Sequence, residues 1–147
     1  MQTPMELALA EARAAAARGE VPVGAVVTDA AGRVLGRAGN EVEARRDPSA
    51  HAEMLALRAA AQAVGDKLLP EATLTVTLEP CAMCAQAAAF FRVKRVVFGA
   101  YDPKGGAVEH GPRLFGQPTC HHAPEVIGGV RESEAAGLLR DFFAALR

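Results

Sequence analysis

Two cysteines three positions apart, Cys81 and Cys84, follow a proline in the stretch EPCAMCAQAAAFF. The segment before them, ATLTVTL, is strand-like, and the residues behind them form an apolar, alanine-rich run typical of a core-facing helix. Residues i and i+3 share one helix face, and Pro80 suits a helix start, so both sulfurs lie together at the first turn. Free N–H groups at a helix start also stabilise thiolates. The stretch therefore predicts a strand-to-helix turn that presents a two-sulfur site.

Three interpretations of this cysteine pair are open. A redox-active C-x-x-C of the thioredoxin type is usually exposed, whereas this pair leads into an apolar run. A structural zinc site needs four protein ligands, and the chain has one such pair and three cysteines in all. A catalytic zinc site needs three protein ligands and keeps one position for water. For the pair alone, metal binding is favoured over redox chemistry.

His51 and Glu53 belong to the stretch DPSAHAEMLALRAAAQAVG, which predicts a helix opened by residues 47–49 (Asp-Pro-Ser) and closed by Gly65. Taken singly, such a histidine is more often a core residue and such a glutamate more often solvated. Positions i and i+2 do not share a helix side, so the two residues serve one site only at the helix start. Because Cys81 also stands at a helix start, both starts are expected to meet at one sheet edge, where ligands usually bind.

The rest of the chain alternates between helical and strand-like segments. The predicted elements are a first helix in TPMELALAEARAAAARGE with Thr3 as N-cap, a β-hairpin in VPVGAVVTDAAGRVLGRAGN, a buried strand in KRVVFGA, a short strand in EVIGGV and a closing helix in ESEAAGLLRDFFAALR. Residues 101–124, rich in Gly, Pro and His, are predicted to be a loop with one helical turn near 113–115. The order of elements predicts one α/β domain over residues 1–147, with a mixed sheet and helices on both faces.

Composition limits the function classes. Half of the 147 residues are hydrophobic and 22% are charged, as in an ordinary soluble domain. No apolar run reaches membrane-spanning length, and no secretory signal is visible, so a cytoplasmic protein without a membrane contact is expected. The net charge of −1 and the pI near 6.4 lack the basic footprint that nucleic-acid binding usually leaves.

The combination of H-x-E with P-C-x-x-C, in which Cys81 follows Glu53 by 28 residues, is far more specific than either half. It is identified as the signature of the zinc-dependent nucleobase deaminases. The resemblance implies one zinc ion per chain, with His51, Cys81 and Cys84 as ligands and Glu53 as the proton carrier. Zinc would lower the pKa of its water to about 7, and the resulting hydroxide would attack the amino-bearing ring carbon of the base. Glu53 would carry protons to a ring nitrogen and to the departing ammonia.

Beyond this signature, most of the chain from Gly19 onward resembles the bacterial tRNA-specific adenosine deaminases, within the cytidine and deoxycytidylate deaminase superfamily. The stretches that carry the resemblance are GEVPVGAVV, DPSAHAEMLALR, TLTVTLEPCAMCA, KRVVFGAYDPKGGA and LLRDFFAALR. The resemblance implies a cytidine deaminase-like three-layer α/β/α fold with a mixed five-stranded sheet, a homodimer and no organic cofactor. It also implies hydrolytic conversion of the wobble adenosine to inosine in a tRNA anticodon loop, that of an arginine tRNA.

The same resemblance implies, by position, a set of residues that contact the RNA. They are Val23 in the pocket wall, Asn40 and the backbone N–H of Ala52 at the target base, Asp102 and Lys104 beside the neighbouring nucleotides, and Phe143 near the anticodon loop. Asn40 is alternatively a turn residue, and Phe143 a core residue. Phe90 and Phe91 are candidates for the dimer contact by resemblance only.

Two other functions stay open. A deaminase of a free base or nucleoside, such as guanine or cytosine, would use the same zinc and Glu53, and the near-neutral charge favours it. A non-enzymatic module would close a structural zinc site with Cys120 or His121. Because a fourth protein ligand would take the place of the water, Cys120, His121 and His122 are expected to be loop residues near the substrate rim or the dimer contact, without an assigned role.

Overall fold

The computed structural model describes all 147 residues, arranged as five helices and five strands with one 3₁₀ turn. In chain order the elements are α1 (Pro4–Ala17), β1 (Gly24–Thr28), β2 (Val34–Gly39), α2 (Val42–Arg45), α3 (Ala52–Val64), β3 (Thr73–Leu78), α4 (Ala82–Phe90), β4 (Arg95–Ala100), the 3₁₀ turn (Leu114–Gly116), β5 (Glu125–Ile127) and α5 (Glu132–Ala145). None of these helices combines the length and the apolar character that crossing a membrane requires.

The strands form one mixed sheet in the order β2-β1-β3-β4-β5. Strand β1 pairs antiparallel with β2 and with β3, whereas β3, β4 and β5 run parallel to one another. One face carries the larger core, in which residues of α3 and α4 pack on the sheet, and the other carries a smaller core with α1 and α5. This arrangement confirms the predicted α/β class, with a five-stranded mixed sheet between two helical layers.

Parallel pairing of β3 with β4 places the ends of both strands at one edge of the sheet. Three residues separate β3 from helix α4. Helix α3 starts at the same edge, because β2, which precedes it, runs in the same direction as β3: both pair antiparallel with β1. Both helix starts therefore face a common region, as the positions of His51 and Cys81 in the sequence predicted. The strand-to-helix turn after β3 is the element that positions the cysteines.

The structure differs from the predicted elements in two places. Helix α3 begins at Ala52 with His51 as its N-cap, and not at Asp47, because the Asp47 carboxylate accepts hydrogen bonds from the backbone and hydroxyl of Ser49 and forms a separate turn. Helix α2 was not predicted. It is short, and its first N–H groups are satisfied by the distant, buried carboxylate of Glu20.

Helix α1 approaches the sheet closely at Gly24 of β1. A Cβ atom there would collide with the carbonyl oxygen of Ala8 and lie 2.6 Å from the backbone nitrogen of Ala12. We expect Gly24→Ala to lower the free energy of unfolding by about 1–3 kcal/mol, the usual cost of overpacking, in urea denaturation. Gly137→Ala in α5 is the matched control, because a Cβ there meets only the end of the Arg140 side chain at 3.6 Å. Equal stability of the two variants would contradict this packing.

Candidate active site

Three side chains that can bind a metal converge at the starts of α3 and α4. His51 is the N-cap of α3, Cys81 is the N-cap of α4, and Cys84 lies in the first turn of α4. The Nδ1 atom of His51 lies 3.6 Å from the sulfur of Cys81 and 3.5 Å from that of Cys84. All three ligand atoms lie within 4.8 Å of one another, and no other group of three such side chains does so in the chain.

The spacing of these atoms fits tetrahedral zinc. Zn–N and Zn–S bonds of about 2.1 and 2.3 Å in a tetrahedron put the nitrogen and sulfur ligands about 3.6 Å apart. The observed nitrogen-to-sulfur distances agree with that value. One imidazole and two thiolates are also the donor set that zinc prefers, and three protein ligands keep the fourth position for water. The geometry fits the predicted zinc cofactor, and the role of these three side chains as its ligands stays a prediction.

Hydrogen bonds within this group set its protonation. The pKa of Cys81 is lowered to about 4, first because Cys84 donates a hydrogen bond to its sulfur and then because His51 does. The same bond to Cys81, together with burial, raises the pKa of Cys84. The hydrogen bond with Cys81 raises the pKa of His51. Metal binding replaces these shared protons, because thiolate and neutral imidazole are the forms that coordinate zinc.

Glu53 lies in the first turn of α3 and is only 4% exposed. Burial raises the pKa of its carboxyl group to about 7, and the nearby thiolate of Cys81 acts in the same direction, whereas His51 lowers the pKa. Glu53 does not belong to the ligand group. A buried carboxyl group with a pKa near neutrality, next to a metal site, has the properties of a group that both accepts and releases a proton.

A cavity of about 470 Å³ opens above these groups, which is the usual size of a small-ligand site. His51, Glu53 and Cys81 line it together with residues from four other parts of the chain. Of the residues predicted to contact RNA, four line this cavity: Val23, Asn40, Asp102 and Phe143. The aromatic residues of the cavity wall come from α5, where Phe142 and Phe143 pack edge to face. Because the Phe143 side chain is 45% exposed, Phe143 is not a core residue.

The other two predicted contacts, Ala52 and Lys104, do not line the cavity. Ala52 is fully buried, and its backbone N–H donates to Oδ1 of Asn40 at 2.8 Å. The amide nitrogen of Asn40 donates to the carbonyl oxygen of Val21 at 3.2 Å. Asn40 therefore fastens the start of α3 to the segment before β1, and a base that takes the Ala52 N–H displaces this bond. Lys104 is exposed on the loop after β4.

Two buried glutamates beside the cavity were missed by the sequence analysis. Glu20 is 1% exposed and accepts hydrogen bonds from the N–H groups of Glu43 and Ala44, at 3.0 and 2.9 Å. Glu79 is 2% exposed and lies under the loop that follows β4. The sequence did contain a signal for Glu79, since it stands between an apolar strand and a proline. A glutamate at such a position is close to the core, and a buried charged group needs bonding partners.

Cys120, His121 and His122 do not belong to the group of His51, Cys81 and Cys84, which gives no support to a structural zinc site closed by Cys120 or His121. The thiol of Cys120 donates to the carbonyl oxygen of His122, and Nε2 of His122 lies 2.7 Å from the carbonyl oxygen of Val93. These bonds fix the loop against the turn between α4 and β4. His121 and His122 also border a groove beside Phe90.

Comparisons with known proteins agree with this site. The family model described as the cytidine and deoxycytidylate deaminase zinc-binding region matches residues 1–100. A tRNA-specific adenosine deaminase of Agrobacterium fabrum is 57% identical over 144 residues, which cover 97% of this chain and 93% of that protein. One of Bacillus subtilis is 46% identical over 143 residues, 97% of this chain and 88% of that protein.

A solved structure from work on A-to-I editing by tRNA:A34 deaminases at the wobble position of transfer RNA superposes with a TM-score of 0.90. It is 56% identical in sequence, and the alignment covers 92% of this chain and 98% of that one. The resemblance predicted from the H-x-E and P-C-x-x-C motifs is confirmed. The chain therefore belongs to the zinc-binding cytidine and deoxycytidylate deaminase family and, within it, to the tRNA-specific adenosine deaminases.

Proposed function

We propose that this protein converts adenosine to inosine at the wobble position of a tRNA anticodon by zinc-dependent hydrolysis, and that an arginine tRNA is its substrate. The observation that carries the proposal is the buried carboxyl group of Glu53 beside the group His51, Cys81 and Cys84. Glu53, His51 and Cys81 line the same cavity. The relatives named as tRNA-specific adenosine deaminases and the tRNA:A34 deaminase structure support the choice of substrate. The alignments over 97% of the chain support one deaminase domain over residues 1–147.

The reaction exchanges the exocyclic amine of adenine for an oxygen atom from water and releases ammonia. His51, Cys81 and Cys84 would hold a zinc ion, which would lower the pKa of a water there to about 7. Glu53 accepts one proton from this water and passes it to the ring nitrogen next to the reacting carbon. It then accepts the second proton from the added oxygen and passes it to the amine as the carbon–nitrogen bond breaks, which leaves a carbonyl group and ammonia. Burial of Glu53 keeps bulk water from replacing it in these steps.

The walls of the cavity orient the nucleotide. Val23 offers an apolar surface to the face of the base, and Asn40 offers its second amide hydrogen, since the first is donated to Val21. The exposed ring of Phe143 supplies an apolar surface at the mouth of the cavity, which suits a nucleotide turned out of the anticodon stack. Asp102 and Lys104 lie on the loop that would meet the neighbouring nucleotides.

We also propose that the protein acts as a cytoplasmic homodimer without an organic cofactor. Phe90 on α4 is 71% exposed, more than any other phenylalanine of the chain, and supports a subunit contact on this helix. Phe91 is half-buried and packs against the larger core, which leaves Phe90 as the better of the two candidates. A substrate that is a tRNA supports the cytoplasmic location.

The test is incubation of the purified, zinc-loaded protein with an arginine tRNA that has adenosine at the wobble position. Nucleoside digestion and mass spectrometry then measure inosine, and the same tRNA with guanosine at this position is the control. We expect inosine only from the first tRNA. Release of ammonia from free guanine or cytosine, without inosine in the tRNA, would instead establish the alternative of a free-base deaminase.

A further inference from the structure

The loop of residues 102–110, which follows β4, forms one wall of the cavity through Asp102 and Gly105. It contains no helix or strand, so its backbone N–H groups have no partners from regular secondary structure. Buried N–H groups without partners are costly, and such a loop therefore needs an acceptor from elsewhere in the protein. For the N–H groups at the two ends of the loop, Asp102 and residues 108–110, the acceptor is one carboxylate, that of Glu79.

Both oxygens of Glu79 are used by this loop. Oε1 accepts from the N–H of Asp102 at 3.0 Å and lies 2.8 Å from Nδ1 of His110. Oε2 accepts from the N–H groups of Val108, Glu109 and His110 at 3.2, 2.8 and 3.1 Å. A carboxylate offers about four lone-pair sites, so these donors saturate it. Both ends of the 102–110 loop are thus tied to one buried group.

The loop also lies directly on this carboxylate. A Cβ atom at Gly106 would be 2.5 Å from the carboxyl carbon of Glu79, so only a glycine allows the backbone to come this near. The imidazole of His110 is placed by an edge-to-face contact with Tyr101, at 6.1 Å between ring centroids. The close approach at Gly106 and the fixed ring of His110 indicate that the loop is built around Glu79.

The backbone of Glu79 is also connected to the segment that holds Cys81. Its own N–H donates to the carbonyl oxygen of Ala100 at 2.8 Å, and it precedes Cys81 by two residues. The carbonyl oxygen of Pro80, between them, accepts from the N–H of Ala107 at 2.9 Å. The 102–110 loop is therefore held by the same short segment that presents Cys81 to the metal.

From these contacts we propose that Glu79 is a positioning residue that fixes the 102–110 loop relative to the zinc ligands, and so sets which nucleotides beside the target adenosine are accepted. The inference rests on the proposed function, because it concerns substrate contacts of the same site. Glu79 acts through Asp102 and Gly105 and takes no part in proton transfer. Its removal therefore changes substrate binding and nucleotide preference more than the chemical step.

Glu79→Gln is the sharpest test, because a glutamine has nearly the same shape but only one acceptor oxygen. If its amide group takes the place of Oε2, three backbone N–H groups face a donor. If it takes the place of Oε1, the N–H of Asp102 faces a donor. In either orientation the 102–110 loop loses part of its anchor, whereas the metal ligands keep theirs.

Gly106→Ala keeps the glutamate at position 79 but displaces the loop, since the added Cβ meets the carboxyl group of Glu79. It serves as a second variant, and it decides the question if Glu79→Gln does not fold. Gly116→Ala is its control, because nothing lies within 4 Å of a Cβ at that position. Glu125→Gln, a change at an exposed glutamate of β5, is the control for the loss of one negative charge.

The substrates are anticodon stem-loops of the arginine tRNA, with the natural or replaced nucleotides on either side of the wobble adenosine. For Glu79→Gln and Gly106→Ala we expect KM to rise about 10-fold or more, because small misplacements of substrate contacts have effects of this order, while kcat changes little. The preference of the wild type for the natural neighbours should shrink. Zinc content should stay at one per chain, as in the two controls.

Hydrogen exchange gives a readout that does not depend on activity. The amides of Asp102 and of residues 108–110 should exchange faster in Glu79→Gln than in the wild type. Unchanged exchange, or unchanged KM and neighbour preference in both variants, would overturn the inference. Loss of zinc together with equal loss of rate on all stem-loops would also overturn it, since Glu79 would then support only the metal site. A wild type that forms no inosine contradicts the proposed function instead, and the exchange rates still decide whether Glu79 holds the loop.

Discussion

Replacing Glu53 by glutamine is expected to lower kcat for inosine formation by roughly 10²- to 10⁴-fold, the usual contribution of general acid–base catalysis, without loss of zinc. Glutamine fills the same space in the first turn of α3 but neither accepts the proton of water nor releases one to the amine. Because Glu53 is only 4% exposed, solvent has no ready access to its place. Burial also holds the pKa of its carboxyl group near 7, which suits both proton transfers.

Single-turnover rates with saturating enzyme measure this effect apart from binding, and elemental analysis measures zinc per chain. Glu71→Gln, a change at an exposed glutamate just before β3, is the control and should behave as the wild type. A wild-type rate in Glu53→Gln would mean that another group carries the protons. Zinc loss in this variant would mean that Glu53 acts on the metal site, although its carboxylate lies outside the ligand group.

Local sequence signals were sufficient for the sheet and for the metal ligands. Turn residues, apolar alternation and helix caps depend on near neighbours, so the hairpin of β1 and β2, the strands β3 and β4 and the helix after Pro80 were predictable. The ligand set came from the resemblance of the H-x-E and P-C-x-x-C motifs to the deaminase signature, and the positions of both motifs at helix starts after strands predicted only that they meet at one edge of the sheet. Strands β2 and β3 run in the same direction, because both pair antiparallel with β1, and this places both starts at one edge.

The features of the structure that could not be predicted depend on contacts between residues that are distant in the sequence. Helix α2 is capped by Glu20, more than twenty positions earlier in the chain, and no pattern within its four residues indicates that partner. The role of Glu79 depends on the loop of residues 102–110, whose composition indicated only a loop. The bond between Asn40 and Ala52 likewise joins two predicted base contacts to each other. Such side-chain-to-backbone bonds carry little signal in a single sequence.

Cys81→Ala is expected to remove zinc from the protein and, with it, inosine formation. The variant has one thiolate and one imidazole left, too few ligands for a tetrahedral site that must also hold a water. Since metal binding free energy is part of folding free energy, the thermal midpoint should fall and should no longer rise when zinc is added. Elemental analysis and thermal unfolding with and without zinc measure both effects.

Cys120→Ala is the matched control for Cys81→Ala, because the thiol of Cys120 bonds only to the carbonyl oxygen of His122 and lies outside the ligand group. It should keep one zinc per chain and the wild-type rate. If both variants lost zinc, Cys120 would be a ligand after all, and the site would be a closed, structural one. If Cys81→Ala kept zinc with full affinity, the pairing of the α3 and α4 starts would not be the metal site. Zinc loss in Cys81→Ala alone is the result that follows from the convergence of His51, Cys81 and Cys84.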